Sequence, residues 1–170
     1  MIFLGLGSNL PSKYGDRFTN INLAISSLED YGIKVIKKSS FYKTPSYPDR
    51  ENPNFINVVI LVETNLPAID LMSVLISIEK KLERKRFKKN DPRTCDIDII
   101  DYNSQILNLK YNNLDFTVPH KELTSRNFVL YPLREISPMW KHPKTKETIS
   151  NLIQKLNEED KNSILKIGKN

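Results

Sequence analysis

Hydrophobic positions along the chain alternate between a period of two and a period of three to four. Ile2 to Leu6 is a short apolar strand ended by "GSNLPS". Phe18, Ile21, Ile25 and Leu28 recur at helical spacing, which predicts an amphipathic helix over about 16–30. "YGIKVIKKSSFYKT" reads as a second strand, closed by the loop "PSYPDRENP". "FINVVILVET" is a long β-branched strand. "NLPAID" opens a helix, with Asn65 as its expected cap and Pro67 in its first turn; Leu71, Leu75, Ile78 and Leu82 are its buried stripe. The basic run "EKKLERKRFKKNDPR" leads into the strand "CDIDIID". Extended pieces near 106–109 and 116–118 follow, then two short helices in "NFVLYPLREIS" and "TISNLIQKLN". The order is β-α-β-β-α-β with a C-terminal extension, the ferredoxin-like supersecondary order.

Length changes this picture little. A chain of 170 residues forms one domain, here 1–170, with a tail from about 160 left free to move. Apolar content of 39% and charged content of 27% suit a globular protein. The single cysteine, Cys95, excludes an intrachain disulfide and a cysteine-based zinc cluster, and fits a cytoplasmic setting. No apolar run approaches the roughly 20 residues that span a bilayer, and the N-terminus lacks a basic leader. Charge adds more. A net charge of +6 favours anionic partners: nucleic acid, phosphorylated small molecules or acidic membrane. The ordinary reading of the Lys/Arg run itself is a solvated helix end leading into a loop.

Candidate chemistry centres on "RTCDIDII", 93–100. Strand alternation sends Asp96 and Asp98 to one face and Cys95, Ile97 and Ile99 to the other. Two aspartates with Cα atoms roughly 6.5–7 Å apart along a strand can converge their carboxylates on hard cations such as Mg²⁺, beside phosphate oxygens and water. On spacing alone the motif is equally an exposed edge strand with polar residues outward. Arg93, Arg84 and Arg86 shift the balance, because guanidiniums beside carboxylates are expected where polyphosphate and metal share a site. The basic loop could then close as a lid over a nucleotide. "GLGSN" lacks the third glycine of a dinucleotide fingerprint, there is no Walker A motif, and Gly7-Ser8-Asn9 reads as a strand-ending turn. His142 sits in a polar turn with no assigned task, and His120 in "TVPH" is open between a structural and a functional role.

Taken in order, "GSNL", "GDR..N", "SSFYKTP", "FINVV", "IE....R", "PRTCDIDII", "TVPH", "R.FVLYPL" and "EISP" resemble the 6-hydroxymethyl-7,8-dihydropterin pyrophosphokinase family from about 2 to 138. The resemblance implies an α+β ferredoxin-like sandwich with additional C-terminal strands and helices. It implies transfer of diphosphate from ATP to a pterin alcohol in folate biosynthesis, with two Mg²⁺ held by Asp96 and Asp98. Arg84 and Arg93 would support transfer. Glu79, Arg86, Ile99, Thr117, His120, Lys121 and Arg126 would hold the nucleotide. Thr44, Pro45, Tyr47, Phe55, Asn57 and Phe128 would hold the pterin, the two rings stacking on it and Asn57 offering donor and acceptor to its edge.

The chain departs from the family at Asn90-Asp91, where an aromatic and a glycine are usual. It also departs at Asp115, at Lys121-Glu122 and in the inserted "PSKY" turn. Implied partners are ATP and the pterin, with no nucleic acid or membrane, and other folate-pathway enzymes, to which some family members are fused. The competing reading from another class is a basic nucleic-acid-binding domain on the same frame. Against it, no strand carries the aromatic pattern of an RNA-reading sheet. A pterin binder without catalysis is a third reading, opposed by Asp96, Asp98, Arg84 and Arg93.

Overall fold

The computed structural model describes residues 1–47, 49–84, 91–111 and 114–168. Strand β1 (Ile2–Ser8) runs into a turn, and α1 (Arg17–Ser27) starts where Asp16 caps it by accepting the Thr19 N–H at 2.8 Å. Gly15 before the cap has φ +146°, and a Cβ there would lie 2.9 Å from Thr19. The helix stops short of the predicted end, in a 3-10 turn that closes on Gly32 at φ 69°.

The predicted second strand is two strands, β2 (Lys34–Lys38) and β3 (Phe41–Thr44), both paired with β4 (Phe55–Glu63). The break falls at Ser39. Its N–H donates to Val59 O at 3.0 Å, while its hydroxyl, not its carbonyl, accepts the Val59 N–H at 3.1 Å. A serine side chain thus takes over one rung of the ladder and lets the strand kink.

Helix α2 (Ala68–Lys81) begins at Pro67, not at Asn65, and no side chain caps it. Proline there has the fixed φ that helix entry needs, and its carbonyl accepts the Leu71 N–H at 2.9 Å. The stripe Leu71, Leu75, Ile78 and Leu82 is buried as expected. Strand β5 (Asp96–Tyr102) follows, then the hairpin β6 (Leu107–Tyr111) and β7 (Leu114–Val118). Helices α3 (Asn127–Ile136), α4 (Ile149–Gln154) and α5 (Glu158–Asn162) lead to β8 (Leu165–Gly168). Residues 160–168, part of the tail expected to be free, form the end of α5 and an added strand beside β3.

The main sheet has six strands in the order β5-β1-β4-β3-β8, with β2 also on β4, and every pairing is antiparallel. One face carries Leu4, Leu6, Ile56, Val58, Ile60, Ile97 and Ile99 against α1 and α2. Each such fully buried side chain contributes about 1.5–3 kcal/mol over an exposed one. The other face carries Phe3, Val59 and Ile100 against α3, α4 and Trp140. A register shift in β5 opposite Phe3 and Leu4 turns both Ile100 and Asp101 toward this second face. Trp140 Nε1 donates to Asp101 at 2.7 Å, and His142 is buried beside Trp140, accepting the Thr145 N–H on Nδ1 at 3.1 Å. His142, given no task from the sequence, is thus part of the packing of this layer. An RNA-reading sheet needs a bare face with aromatics. Here α3 and α4 cover half of the second face, which removes the platform the competing reading requires.

Candidate active site

The uncovered half of the second face is set by β1. Alternation places Phe3, Gly5 and Gly7 on this face, so the side chain disappears beyond Phe3. Register then aligns Asp96, Gly7, Asn57 and Tyr42 in one row across β5, β1, β4 and β3, with Asp98 beside Gly5 in the next. At the ~4.8 Å strand spacing, Asp96 and Asn57 stand about 10 Å apart across a glycine floor. The space over Gly7 is tight: a Cβ there would lie 3.1 Å from Asn57 Oδ1 and 3.6 Å from the Phe55 ring.

At the carboxylate end, Asp96 accepts from Arg84 at 2.6 Å and pairs with Arg93 at 3.4 Å. Asp98 pairs with Arg126 at 3.3 Å, and Arg126 also holds Glu122 at 2.6 Å. Arg84 follows the C-terminus of α2, Arg93 leads into β5, and Arg126 precedes α3. Three separate elements thus deliver guanidiniums to one pair of carboxylates. Burial and the neighbouring Asp96 push the Asp98 pKa up, though 41% of its side chain still meets solvent. Burial opposes the charge on Arg84, but Asp96 and Glu79 beside it hold its pKa above the ordinary value. His120 is lowered by burial, and its Nδ1 accepts the Glu122 N–H at 3.1 Å. Its proton therefore sits on Nε2, leaving a neutral ring with one donor.

At the other end, Asn57 is buried. Its Nδ2 donates to Thr44 Oγ1 at 3.0 Å and to Tyr42 O at 3.4 Å. Of the donor and acceptor expected of Asn57, the donor is engaged inside the sheet here. Phe55 and Phe128 are partly buried, and each is faced by an arginine. Arg93 lies 5.3 Å from the Phe55 ring centre and Arg126 5.5 Å from that of Phe128. Pro45 borders the same end half-buried, while the Tyr47 side chain is exposed at 81%.

Two of the residues expected at the nucleotide have buried side chains. Glu79 is buried, accepting the Ile97 N–H at 2.8 Å and pairing with Arg84, so it ties α2 to the outer edge of β5 and holds the arginine. Ile99 lies in the core against Leu4, 3% exposed, so its side chain cannot flank a base. Thr117 on β7 is half-buried and Lys121 is exposed. Arg86 and the basic loop up to Asn90 lie outside the described residues. Sequence reading missed Asn9, whose amide clamps Arg93, and Glu122, which shares Arg126. Only the Asn at the end of β1, in a position favoured for side chain to backbone bonding, signals the first.

Carboxylates held by guanidiniums on the uncovered half of an antiparallel sheet are a charge arrangement into which a phosphorylated ligand could exchange. Residues 3–138 match the family model described as 7,8-dihydro-6-hydroxymethylpterin-pyrophosphokinase (HPPK), and the chain belongs to that family.

A 2-amino-4-hydroxy-6-hydroxymethyldihydropteridine pyrophosphokinase of Aquifex aeolicus is 36% identical over 142 residues, 84% of this chain and 83% of that protein. The folic acid synthesis protein fol1 of Schizosaccharomyces pombe is 34% identical over 155 residues, 91% of this chain; the chain spans only 20% of that longer protein. The crystal structure of wild-type Plasmodium falciparum HPPK-DHPS superposes with a TM-score of 0.71 at 18% identity, over 91% of this chain and 40% of that one. At that identity the likeness speaks for the fold.

Proposed function

We propose that this site transfers diphosphate from ATP to the hydroxymethyl group of 6-hydroxymethyl-7,8-dihydropterin, releasing AMP. The observation that carries it is the row from Asp96 through Gly7 to Asn57: an ionic end and an amide end joined by a floor without side chains. The pterin, a flat polar ring, takes the amide end. Asn57 Oδ1 accepts from its edge, and Phe55 and Phe128 supply apolar area to its faces. The triphosphate takes the ionic end.

Arg84, Arg93 and Arg126 now rest on Asp96 and Asp98. Phosphate oxygens would draw them away as stronger bidentate partners and free the carboxylates. The pterin hydroxymethyl oxygen attacks the β-phosphorus of ATP. The bond from that phosphorus to the α–β bridging oxygen breaks, AMP departs with the electron pair, and the hydroxyl proton leaves to solvent. Arg84 and Arg93 stabilise the charge that builds on the bridging and equatorial oxygens. His120 Nε2–H, Thr117, Lys121 and Arg126 orient the nucleotide.

Asp96 and Asp98 fit Mg²⁺ by donor chemistry, being hard oxygen acceptors on one open face. Among the described residues no group of three or more His, Cys, Asp or Glu forms a site by itself, so substrate oxygens and water would complete the shell. When bound, two Mg²⁺ supply charge neutralisation and alignment of the triphosphate. Incubation with ATP, Mg²⁺ and the pterin, followed by nucleotide separation, tests the reading. AMP in proportion to diphosphorylated pterin is expected; ADP with a monophosphorylated pterin, or no pterin-dependent ATP consumption, overturns it.

A further inference from the structure

We propose that Asn9 is a positioning residue that couples the two halves of the site, holding the nucleotide arm and the pterin arm in one fixed relation. This rests on the proposed function above. Asn9 directly follows β1 and is 1% exposed. Its Oδ1 accepts the Arg93 N–H at 2.7 Å, and its own N–H and that of Leu10 donate to Arg93 O at 3.0 and 3.1 Å. Both backbone groups of Arg93, 84 residues away, are therefore held by one dipeptide. The remaining group of the same side chain, Nδ2, donates to Pro53 O at 3.1 Å. Pro53 lies two residues before Phe55, and its neighbour Asn54 is held from α1, where Arg17 donates to Asn54 O at 2.6 Å.

One amide thus reaches both arms. Its oxygen fixes the residue that brings a guanidinium to Asp96; its nitrogen fixes the lead-in to the aromatic wall. The arms meet again at their tips, where the Arg93 guanidinium lies over the Phe55 ring at 5.3 Å. A group that moves Arg93 when phosphate binds must therefore move Phe55 as well, unless Asn9 gives way. Asn9 does not touch Asp96 or Asn57, and its effect on substrates passes through Arg93 and Pro53.

The two ends of the amide can be separated chemically. Asn9→Asp retains an acceptor for the Arg93 N–H but sets a carboxylate oxygen against Pro53 O, a pair of acceptors that must part. Asn9→Ser shortens the side chain and loses both arms. Arg17→Met releases Asn54 alone and leaves Arg93 clamped. For each protein, calorimetry would measure the affinity of a non-hydrolysable ATP analogue with Mg²⁺, of the pterin, and of the pterin with the analogue present; thermal melting would report the fold.

In Asn9→Asp, pterin affinity should fall about tenfold, the weight of one lost hydrogen bond, with analogue affinity within about twofold of wild type. Asn9→Ser should weaken both ligands and abolish any gain in pterin affinity caused by the analogue. Arg17→Met should repeat the Asp pattern in weaker form. A purely structural role for Asn9 would lower the melting temperature and weaken both ligands equally in every variant, and that result overturns the proposal. A wild-type protein that binds neither ligand would instead overturn the proposed function.

Discussion

Strand β5 carries aspartates at both ends of one sheet face, and they meet opposite fates. Asp96 and Asp98 are answered by arginines from three other segments, charged partners that a polyphosphate can compete for. Asp101 is answered by neutral donors, Trp140 Nε1 at 2.7 Å and Ser104 N–H at 2.8 Å, under a roof of α3 and α4. Burial pushes the Asp101 pKa up despite those bonds. The difference arises beside them on β1, where Phe3 faces Asp101 and glycines face Asp96 and Asp98. A large side chain draws the helices down; its absence leaves a hollow. A carboxylate with irreplaceable partners stabilises the fold, and one with exchangeable partners is available for chemistry.

The largest test separates the aspartates by substitution. Asp96→Asn or Asp98→Asn should reduce turnover at least about a hundredfold, the scale of removing one preorganised electrostatic group, with the melting temperature retained. Asp101→Ala should do the reverse. The buried Trp140 donor loses its acceptor, costing about 1–3 kcal/mol and roughly 3–10 °C in Tm, while turnover at 25 °C holds. Near-normal Mg²⁺-dependent turnover in either Asn variant would falsify the division.

Next come the glycines. A Gly7→Ala methyl would press on Asn57 Oδ1 and should raise the KM for pterin about five- to tenfold without changing that for ATP. A Gly5→Ala methyl meets the Ile100 side chain at 3.1 Å, at the border with the covered half, and should cost about 1–2 kcal/mol of stability. Equal kinetic effects from both would erase the boundary between the regions.

The smallest effect is on pH. Burial lowers the His142 pKa in the folded state, opposed by Glu147 and Asp101 and aided by Lys144 and Lys146. The unfolded chain therefore takes up the proton first as pH falls through about 6.5, so the stability due to a neutral His142 is whole above that value and lost below it. His120 contributes in the same direction. Urea midpoints between about pH 8 and pH 5.5 should fall less steeply in His142→Asn, which retains an acceptor for the Thr145 N–H. Parallel slopes would show that the covered half does not hold its histidine neutral.

Much of this was legible in the chain. Local periodicity is enough for α1, α2, β4 and β5, and alternation alone puts Asp96 and Asp98 on one face. The β2–β3 break was not legible, because Ser39 replaces a backbone rung with its side chain only once Val59 lies opposite. Strand β8 is only four residues long, its alternating Leu165 and Ile167 stay exposed, and it exists by pairing with β3. In the site, Arg84, Arg93, Asn57 and Phe55 could be named from the family motifs. The parts of Glu79 and Asn9 could not, since each acts on a backbone group far along the chain that only the folded sheet brings near. Burial of the Ile99 side chain could not be told from the motif either, because Leu4 on β1 covers it only once the sheet forms.

The alternation of β1 also decides where this chain can change length. Its even positions, Leu4 and Leu6, build the core; its odd positions, Gly5 and Gly7, are the floor of the cleft. Deleting one residue between Phe3 and Gly7 would exchange the two sets, pushing leucines into the cleft and glycines into the core. No compensating point mutation could repair both faces at once. The turn at 12–15 has no such double duty, closing on itself through the Ser12–Gly15 bridge. Insertions and deletions among related chains should therefore gather in such turns and be missing from β1, whatever liberties the individual side chains take.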